Sequence, residues 1–235
     1  MPSDELGASL TRAEIMGSLS HAINQTEFGE SRSGHPQTTK DLLRTIIQLS
    51  PETFINRHVL DRTPWIFESR TKYAEWKFQL AYDLDVDPLP MSIVGSAGLG
   101  FSLSPGKKFS EFHQDSDIDV AIISNRHFEE AWLQLRSLGP LDRLKPGSSE
   151  AEVLDWHRGR LIFDGAIATD KILGMLPFGA KWTRAFSRAS NREPTTGREI
   201  NGRIYRDCQS LREYQVNNLR RIRTNLISAG ESFND

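Results

Sequence analysis

Cysteine is almost absent from this chain, which has only Cys208 in 235 residues. A single thiol cannot form an intramolecular disulfide, and with the six histidines it offers no cysteine-based zinc site. The first sixteen residues also lack the apolar run of a secretory signal. These absences argue against an exported, disulfide-stabilised domain and favour a protein of the reducing cytoplasm.

The chain also lacks a convincing membrane span. Residues 88–106 are nineteen residues without a charge, close to the length that crosses a bilayer. They include three prolines and four glycines, which break helices and would leave backbone polar groups unsatisfied in lipid. We therefore predict a strand and a loop in this segment, and no contact with a membrane.

The remaining composition is that of a folded domain. The chain is 37% hydrophobic and 26% charged, which is sufficient to bury a sizeable core. Its net charge is -2, but residues 180–235 carry eleven basic and six acidic side chains. Such a basic quarter favours a polyanion such as nucleic acid or a triphosphate, while a solvated helix face explains the surplus equally well.

Hydrophobic periodicity predicts several helices. Apolar residues recur at helical spacing from Lys40, in residues 70–84 and in residues 209–228, and Ser50 with Pro51 is typical of the start of a further short helix. The first thirty-nine residues are rich in Ser, Gly, Thr and Gln, which predicts a flexible arm. The five tryptophans are interpreted as core residues: Trp65, Trp76, Trp132, Trp156 and Trp182.

Apolar runs at residues 91–94 and 118–123 predict two strands, and residues 199–207 predict another. The segment from 150 to 188 reads as helical or mixed. The expected fold class is therefore α/β (α+β), with a small mixed sheet flanked by helices. The predicted organisation comprises four units: arm 1–39, N-terminal helical extension 40–90, core 91–207, and C-terminal helix 208–235 packing on the core.

The residues most suggestive of chemistry are Asp117 and Asp119. Side chains alternate across a strand, so these two carboxylates project from the same face. Like charges at that spacing repel each other unless a cation lies between them, and carboxylate oxygens suit Mg²⁺ or Mn²⁺. A simple exposed strand-edge pair is the alternative, because such a short acidic motif has low specificity.

An upstream pair makes the metal interpretation more specific. Gly95 and Ser96 end the first apolar strand. A glycine there allows backbone N–H groups to approach a phosphate, and the serine hydroxyl offers a further hydrogen bond. A phosphate cradle beside a metal-binding pair forms a coherent site.

These residues resemble the signature of the polymerase-beta-like nucleotidyltransferase superfamily. In that family a Gly-Ser ends the first strand and an acidic pair lies on the second, as do Gly95-Ser96 and Asp117-x-Asp119 here. The run from Ile93 to Ile123, including "GFSLSP" and "SDIDVAI", is similar to bacterial nucleotidyltransferase-domain proteins. The resemblance covers about thirty residues and does not extend to the first ninety.

The resemblance implies a role for each matched residue. Gly95 and Ser96 would hold the triphosphate of an NTP, and Asp117 and Asp119 would be the catalytic acids that bind two Mg²⁺ (or Mn²⁺) ions. Nearby polar side chains would complete the substrate contacts. They are Ser116 together with Lys107 and Lys108, and for the two lysines contact with the beta and gamma phosphates and a place in a solvated loop are equally compatible with the sequence.

Two departures from the family pattern matter. Twenty residues separate Ser96 from Asp117, about twice the family's usual interval. The extra residues imply an inserted loop over 100–114 that forms a lid or selects the acceptor. The family also commonly uses a third carboxylate on a later strand, but the "INGRIYR" strand contains none. Asp164 is the candidate for that position, and Glu199 and Asp207 flank the strand.

Two functions therefore follow as expectations. The first is metal-dependent transfer of a nucleoside monophosphate from an NTP to a hydroxyl acceptor, which would be a protein, an RNA 3' end, a nucleotide or a small molecule. The second is a degenerate nucleotidyltransferase fold that binds nucleotide or a partner protein without turnover. The missing third acid supports the second.

Overall fold

The computed structural model describes residues 34–140 and 143–228, so most of the predicted arm lies outside the described residues. The described residues form eight α-helices and a four-stranded mixed sheet, which confirms the predicted α+β class. In chain order the elements are α1 Thr39–Gln48, α2 Pro51–Phe54, α3 Arg70–Leu84, β1 Ser92–Val94, α4 Gly95–Leu99, β2 Ile118–Ile123, α5 Asn125–Ser137, α6 Ser149–Arg160, β3 Ala166–Ala168, α7 Gly179–Ala189, β4 Ile200–Tyr205 and α8 Cys208–Ser228.

Side-chain caps explain where several helices begin. Ser50 accepts a hydrogen bond from the backbone N–H of Thr53 and starts α2, as the sequence predicts. Ser69 caps α3 in the same way, and Asp85 ends it in the left-handed conformation with φ of 63°. The helix predicted over residues 70–84 is confirmed with the same bounds.

The strand order in the sheet is β1-β2-β4-β3. β1 is antiparallel to β2, β2 is parallel to β4, and β3 is antiparallel to β4. As a result, the first residues of β2 and β4 meet at one edge of the sheet, and β3 runs towards that edge, its last residue pairing with Arg203 of β4. This common edge is where the candidate site lies.

The sheet separates two hydrophobic layers. One face, which includes Ile93, Val120 and Ile204, packs on α3, α5 and α7. The other face, which includes Val94 and Tyr205, packs on α1, α2 and α8. The predicted N-terminal extension therefore contributes helices to both layers. None of the described helices combines the length and apolar character needed to cross a membrane.

The connection after β1 differs from the strand and loop predicted for it. A short helix, α4, follows β1 directly, and Gly100 ends it with φ of 92°. Small residues permit this compact arrangement, because a Cβ on Gly98 would lie 2.7 Å from the carbonyl oxygen of Ile93. The inserted segment then leaves and returns through a β-bridge between Phe101 and Glu111, which closes its base.

Much of the positive charge in the C-terminal quarter stabilises the fold. Arg188 and Arg192 both pair with Asp83, at 3.0 and 2.8 Å. On α8, Arg220 pairs with Glu52, and Arg223 donates to two backbone carbonyl oxygens at the end of α1. These contacts account for a large part of the basic surplus without a polyanionic partner.

Candidate active site

The predicted acid pair lies at the common edge of the sheet. Asp119 is the second residue of β2, and Asp117 comes just before that strand. Burial and the charge of Asp117 raise the pKa of Asp119 to about 6, although the charges of Arg203 and Lys107 act in the opposite direction. Burial, together with the neighbouring carboxylate, therefore disfavours the ionised form of Asp119.

Gly95 lies directly against this pair. The residue before it, Val94, is the register partner of Asp119 across β1 and β2. Gly95 has φ of 66°, and a Cβ at this position would lie 2.6 Å from Oδ2 of Asp119. The predicted glycine and the predicted acid are thus adjacent, and only the missing side chain of Gly95 leaves room between them.

An open cleft of about 670 Å³ lies over this part of the sheet. Asp117, Asp119 and Gly95 line it at the sheet edge, while α8 contributes a wall of mostly polar side chains. Apolar side chains from other elements complete the lining, including Val59, Leu99, Leu103 and Trp156. The cleft is large enough to hold a nucleotide-sized ligand, given that typical ligand pockets are about 300–1,000 Å³.

A further acid lies in the cleft where the sequence suggested a different one. Asp170 follows β3 and lines the cleft, and its charge contributes to the raised pKa of Asp119. Asp164 precedes β3, at the opposite end of that strand, and is not among the residues that line the cleft. Because β3 runs antiparallel to β4, only the residues after it reach the edge that carries the acid pair.

Asn201 occupies the position next to Asp119 on the neighbouring strand. The two residues are register partners across β2 and β4. The Asn201 side chain donates from Nδ2 to Oδ2 of Asp117 at 3.2 Å. An amide therefore stands beside the pair on β4. Neither flanking acid lines the cleft: Glu199 comes just before β4, and Asp207 accepts from the backbone N–H of Ser210 at the start of α8.

Cationic side chains also face the cleft. Arg203 of β4 donates from Nη1 to the Tyr214 hydroxyl at 2.7 Å, and its guanidinium carbon lies 5.0 Å from the centre of that ring. Lys171, which follows Asp170, lies 5.7 Å above the Trp156 ring, and Arg221 of α8 joins the lining. The cleft thus combines acids at the sheet edge with cationic side chains along its lining, a combination suited to a metal-bound polyphosphate.

The remaining predicted contacts are less central. Ser96 follows Gly95 in α4, with its carbonyl oxygen accepting from Gly100. Lys107 and Lys108 are both exposed in the inserted segment, and of the two only Lys107 affects the pKa of Asp119. Ser116 serves the chain locally, because its hydroxyl accepts from the backbone N–H of His113 at 3.1 Å.

Sequence reasoning missed Asp170, Asn201, Arg203 and the aromatic side chains of the cleft. For Asp170 a weak signal existed, since the small apolar run Ala166–Ala168 precedes it and three such residues suffice for an edge strand. Trp156 was interpreted as core, yet it is only partly buried and lines the cleft. No local pattern distinguishes Asn201 or Arg203 from ordinary strand residues.

The described residues contain no group of three or more His, Cys, Asp or Glu side chains arranged to hold a metal ion. Asp170 thus shares the cleft with the acid pair but does not form a three-carboxylate cluster with it. Comparisons with protein-family models, with curated proteins and with solved structures found no match to this chain.

Proposed function

We propose that this protein is a metal-dependent nucleotidyltransferase, which moves a nucleoside monophosphate from an NTP to a hydroxyl acceptor. The observation that carries the proposal is the contact between Gly95 and Asp119 at the mouth of the cleft. It brings together the two halves of the motif, the phosphate cradle and the acid pair. The resemblance of residues 93–123 to the polymerase-beta-like nucleotidyltransferase superfamily supports the same function.

The chemistry of the donor set fits a hard divalent cation. Asp117 and Asp119 would hold Mg²⁺ or Mn²⁺, because a cation beside them would offset both the burial of Asp119 and the charge of Asp117, which together raise the pKa of Asp119. Such an ion would neutralise charge on the phosphates and lower the pKa of the attacking hydroxyl. Its remaining positions would fall to water and to phosphate oxygens, since Mg²⁺ usually keeps several such ligands.

The residues of the chain then bind and orient the substrates. Without a side chain, Gly95 leaves space for a phosphate group beside Asp119. Arg203, Lys171 and Arg221 offset the negative charge of the NTP within the cleft. The acceptor oxygen bonds to the alpha phosphorus as the bond to the pyrophosphate oxygen breaks, and pyrophosphate leaves. We assign to Asp170 the proton released by the acceptor, because this exposed carboxylate lines the same cleft.

For the acceptor, we favour a small hydroxyl compound or a nucleotide over a protein or an RNA 3' end. The basic C-terminal quarter was the argument for RNA, and several of its arginines pair with acids or carbonyls of the fold itself. A cleft of about 670 Å³ also limits how much of a polymer enters beside an NTP.

Pyrophosphate release tests the proposal directly. The purified protein, incubated with alpha-labelled NTPs, Mn²⁺ or Mg²⁺ and a pool of candidate acceptors, is expected to release pyrophosphate and transfer the label. Asp117→Ala and Asp119→Ala are each expected to abolish both signals. Asp115→Ala is the matched control, since the side chain of this neighbouring acid is 95% exposed, and it should react like wild type. Release that persists in both site variants would refute the proposal.

A second candidate is a fold that binds nucleotide without turnover. Asn201 favours it, because an amide stands beside Asp119 where an acid would have supplied another metal ligand. This function predicts that NTP with Mn²⁺ raises the melting temperature while no pyrophosphate appears, because a ligand that binds the folded state stabilises it.

A further inference from the structure

Arg198 lies two residues before β4 and contacts the turn that leads into Asp117. Its Nη1 donates to three backbone carbonyl oxygens, and its guanidinium carbon lies 4.5 Å from the centre of the Phe112 ring. The three acceptors are the carbonyl oxygens of His113 at 2.7 Å, Gln114 at 2.8 Å and Ser116 at 3.0 Å. A single side chain therefore restrains the backbone path of residues 112–116.

The residues that follow Arg198 also contact Asp117 and the residue after it. The carbonyl oxygen of Glu199 accepts from the backbone N–H of Ile118 at 2.8 Å. Asn201 donates to the carboxylate of Asp117 at 3.2 Å. Asp117 is thus fixed before it by Arg198, after it by the β2–β4 ladder, and at its carboxylate by Asn201.

This restraint opposes the repulsion between the carboxylates of Asp117 and Asp119. Asp119 lies within the β2 ladder and cannot move away from its neighbour, whereas Asp117 precedes the strand. Repulsion between the two carboxylates therefore acts on the turn before Asp117, whose residues 113–115 are exposed. Apart from Arg198, that turn is held by short-range bonds, such as Ser116 N–H to the His113 carbonyl at 3.1 Å.

We propose that Arg198 is a positioning residue, which holds Asp117 beside Asp119 in the arrangement that binds a divalent cation. The inference rests on the proposed function for the identity of the ligand. Arginine suits the task, because its planar guanidinium remains charged and lies against the Phe112 ring while Nη1 bonds the turn. A lysine offers a point charge with less directional bonding and should replace it only in part.

The test compares Arg198→Gln and Arg198→Lys with a matched control, Arg223→Gln. Arg223 also donates to two backbone carbonyl oxygens, those of Leu49 at 3.1 Å and Ile47 at 2.9 Å, but its contacts join α8 to α1. Two measurements are made on each protein: Mn²⁺ affinity, from the electron paramagnetic resonance signal of free Mn²⁺, and hydrogen exchange of residues 112–118 without metal.

The Arg198→Gln protein is expected to bind Mn²⁺ about 10–100-fold more weakly than wild type, the usual cost of losing a residue that orients a metal ligand. The Arg198→Lys protein should fall between the two, and Arg223→Gln should bind like wild type. Faster exchange across residues 112–118 is expected in Arg198→Gln and not in the control. If Arg198→Gln does not fold, Arg198→Lys carries the comparison.

Two results would overturn the positioning role alone. One is wild-type Mn²⁺ affinity in a folded Arg198 variant, and the other is unchanged exchange across residues 112–118. Wild-type protein that shows no saturable Mn²⁺ binding would instead refute the proposed function, and the positioning role with it.

Discussion

Replacing Gly95 with alanine tests the candidate site at its closest contact. The added Cβ would lie 2.6 Å from Oδ2 of Asp119, well inside van der Waals contact. Asp119 is held within the β2 ladder, so its carboxylate must rotate away from the cleft or the α4 backbone must shift. Either change displaces the Asp119 carboxylate relative to the Gly95 backbone.

Gly95→Ala should also lower the stability of the fold through backbone strain, which is separate from the contact with Asp119. A control variant isolates this strain. Gly95 has φ of 66°, and an alanine in this left-handed region costs about 1–2 kcal/mol. For a chain of this length that corresponds to a melting temperature roughly 2–8 °C lower. Gly197 has φ of 75° with no heavy atom among the described residues within 4 Å of its added Cβ. Gly197→Ala therefore carries the backbone cost without the clash.

Thermal unfolding with and without Mn²⁺ separates the two effects. Both alanine variants should melt below wild type in the absence of metal. Mn²⁺ should raise the melting temperature of wild type and of Gly197→Ala, because it binds the folded state, and should have little effect on Gly95→Ala. An equal rise in both variants would refute the claim that Gly95 and Asp119 form one site.

Three further predictions concern charge and protonation. Asp119→Asn removes a carboxylate whose pKa is raised to about 6. In urea unfolding, the metal-free variant should therefore be more stable than wild type by about 1–3 kcal/mol at pH 8 and equal to it below pH 4. Lower stability of the variant at pH 8 would contradict this prediction. Asn201→Asp places a carboxylate beside Asp119. It should tighten Mn²⁺ binding in a titration, and it should lower the melting temperature of the metal-free protein. Weaker Mn²⁺ binding would refute a metal site at this edge of the sheet. Burial and Arg126 lower the pKa of His127 to about 4, so its neutral form is required in the fold, and stability should fall by about 2–3 kcal/mol as the pH drops from 6.5 to 4. His127→Gln should reduce that slope in pH-dependent urea unfolding, and an unchanged slope would rule out the assignment.

Local patterns predicted most of the secondary structure. The helix over residues 70–84 and the strand over residues 118–123 have the predicted bounds, because a strong apolar stripe or run and a capping residue mark their ends. Prediction was weaker between residues 150 and 188. There β3 is only three residues long, and α6 has no clear apolar stripe. The apolar residues of this segment therefore show neither the two-residue period of a strand nor the 3.6-residue period of a helix.

Prediction of the site residues likewise depended on whether they lie close together in the sequence. Gly95, Asp117 and Asp119 could be found because strand alternation and a family-like motif place them within one short segment. Arg198 and Asn201 could not, because their contacts with the turn and with Asp117 join residues more than eighty positions apart. Asp164 is the third-acid candidate that the sequence suggested, and Asp170 was missed because neither β3 nor its direction in the sheet can be read from three alanine and isoleucine residues.

The sequence by itself determined which residues lie on one face of β2 and which helices have a face to bury, because both depend on local periodicity. It also determined that the acid pair would be close enough to repel, since neighbours on one strand face are two positions apart in the sequence. Only the tertiary structure decided that β4 lies parallel beside β2, that β3 delivers Asp170 to the same edge, and that several arginines near the C-terminus pair within the fold. Strand order and ion pairing depend on long-range packing, which no short segment of the chain encodes.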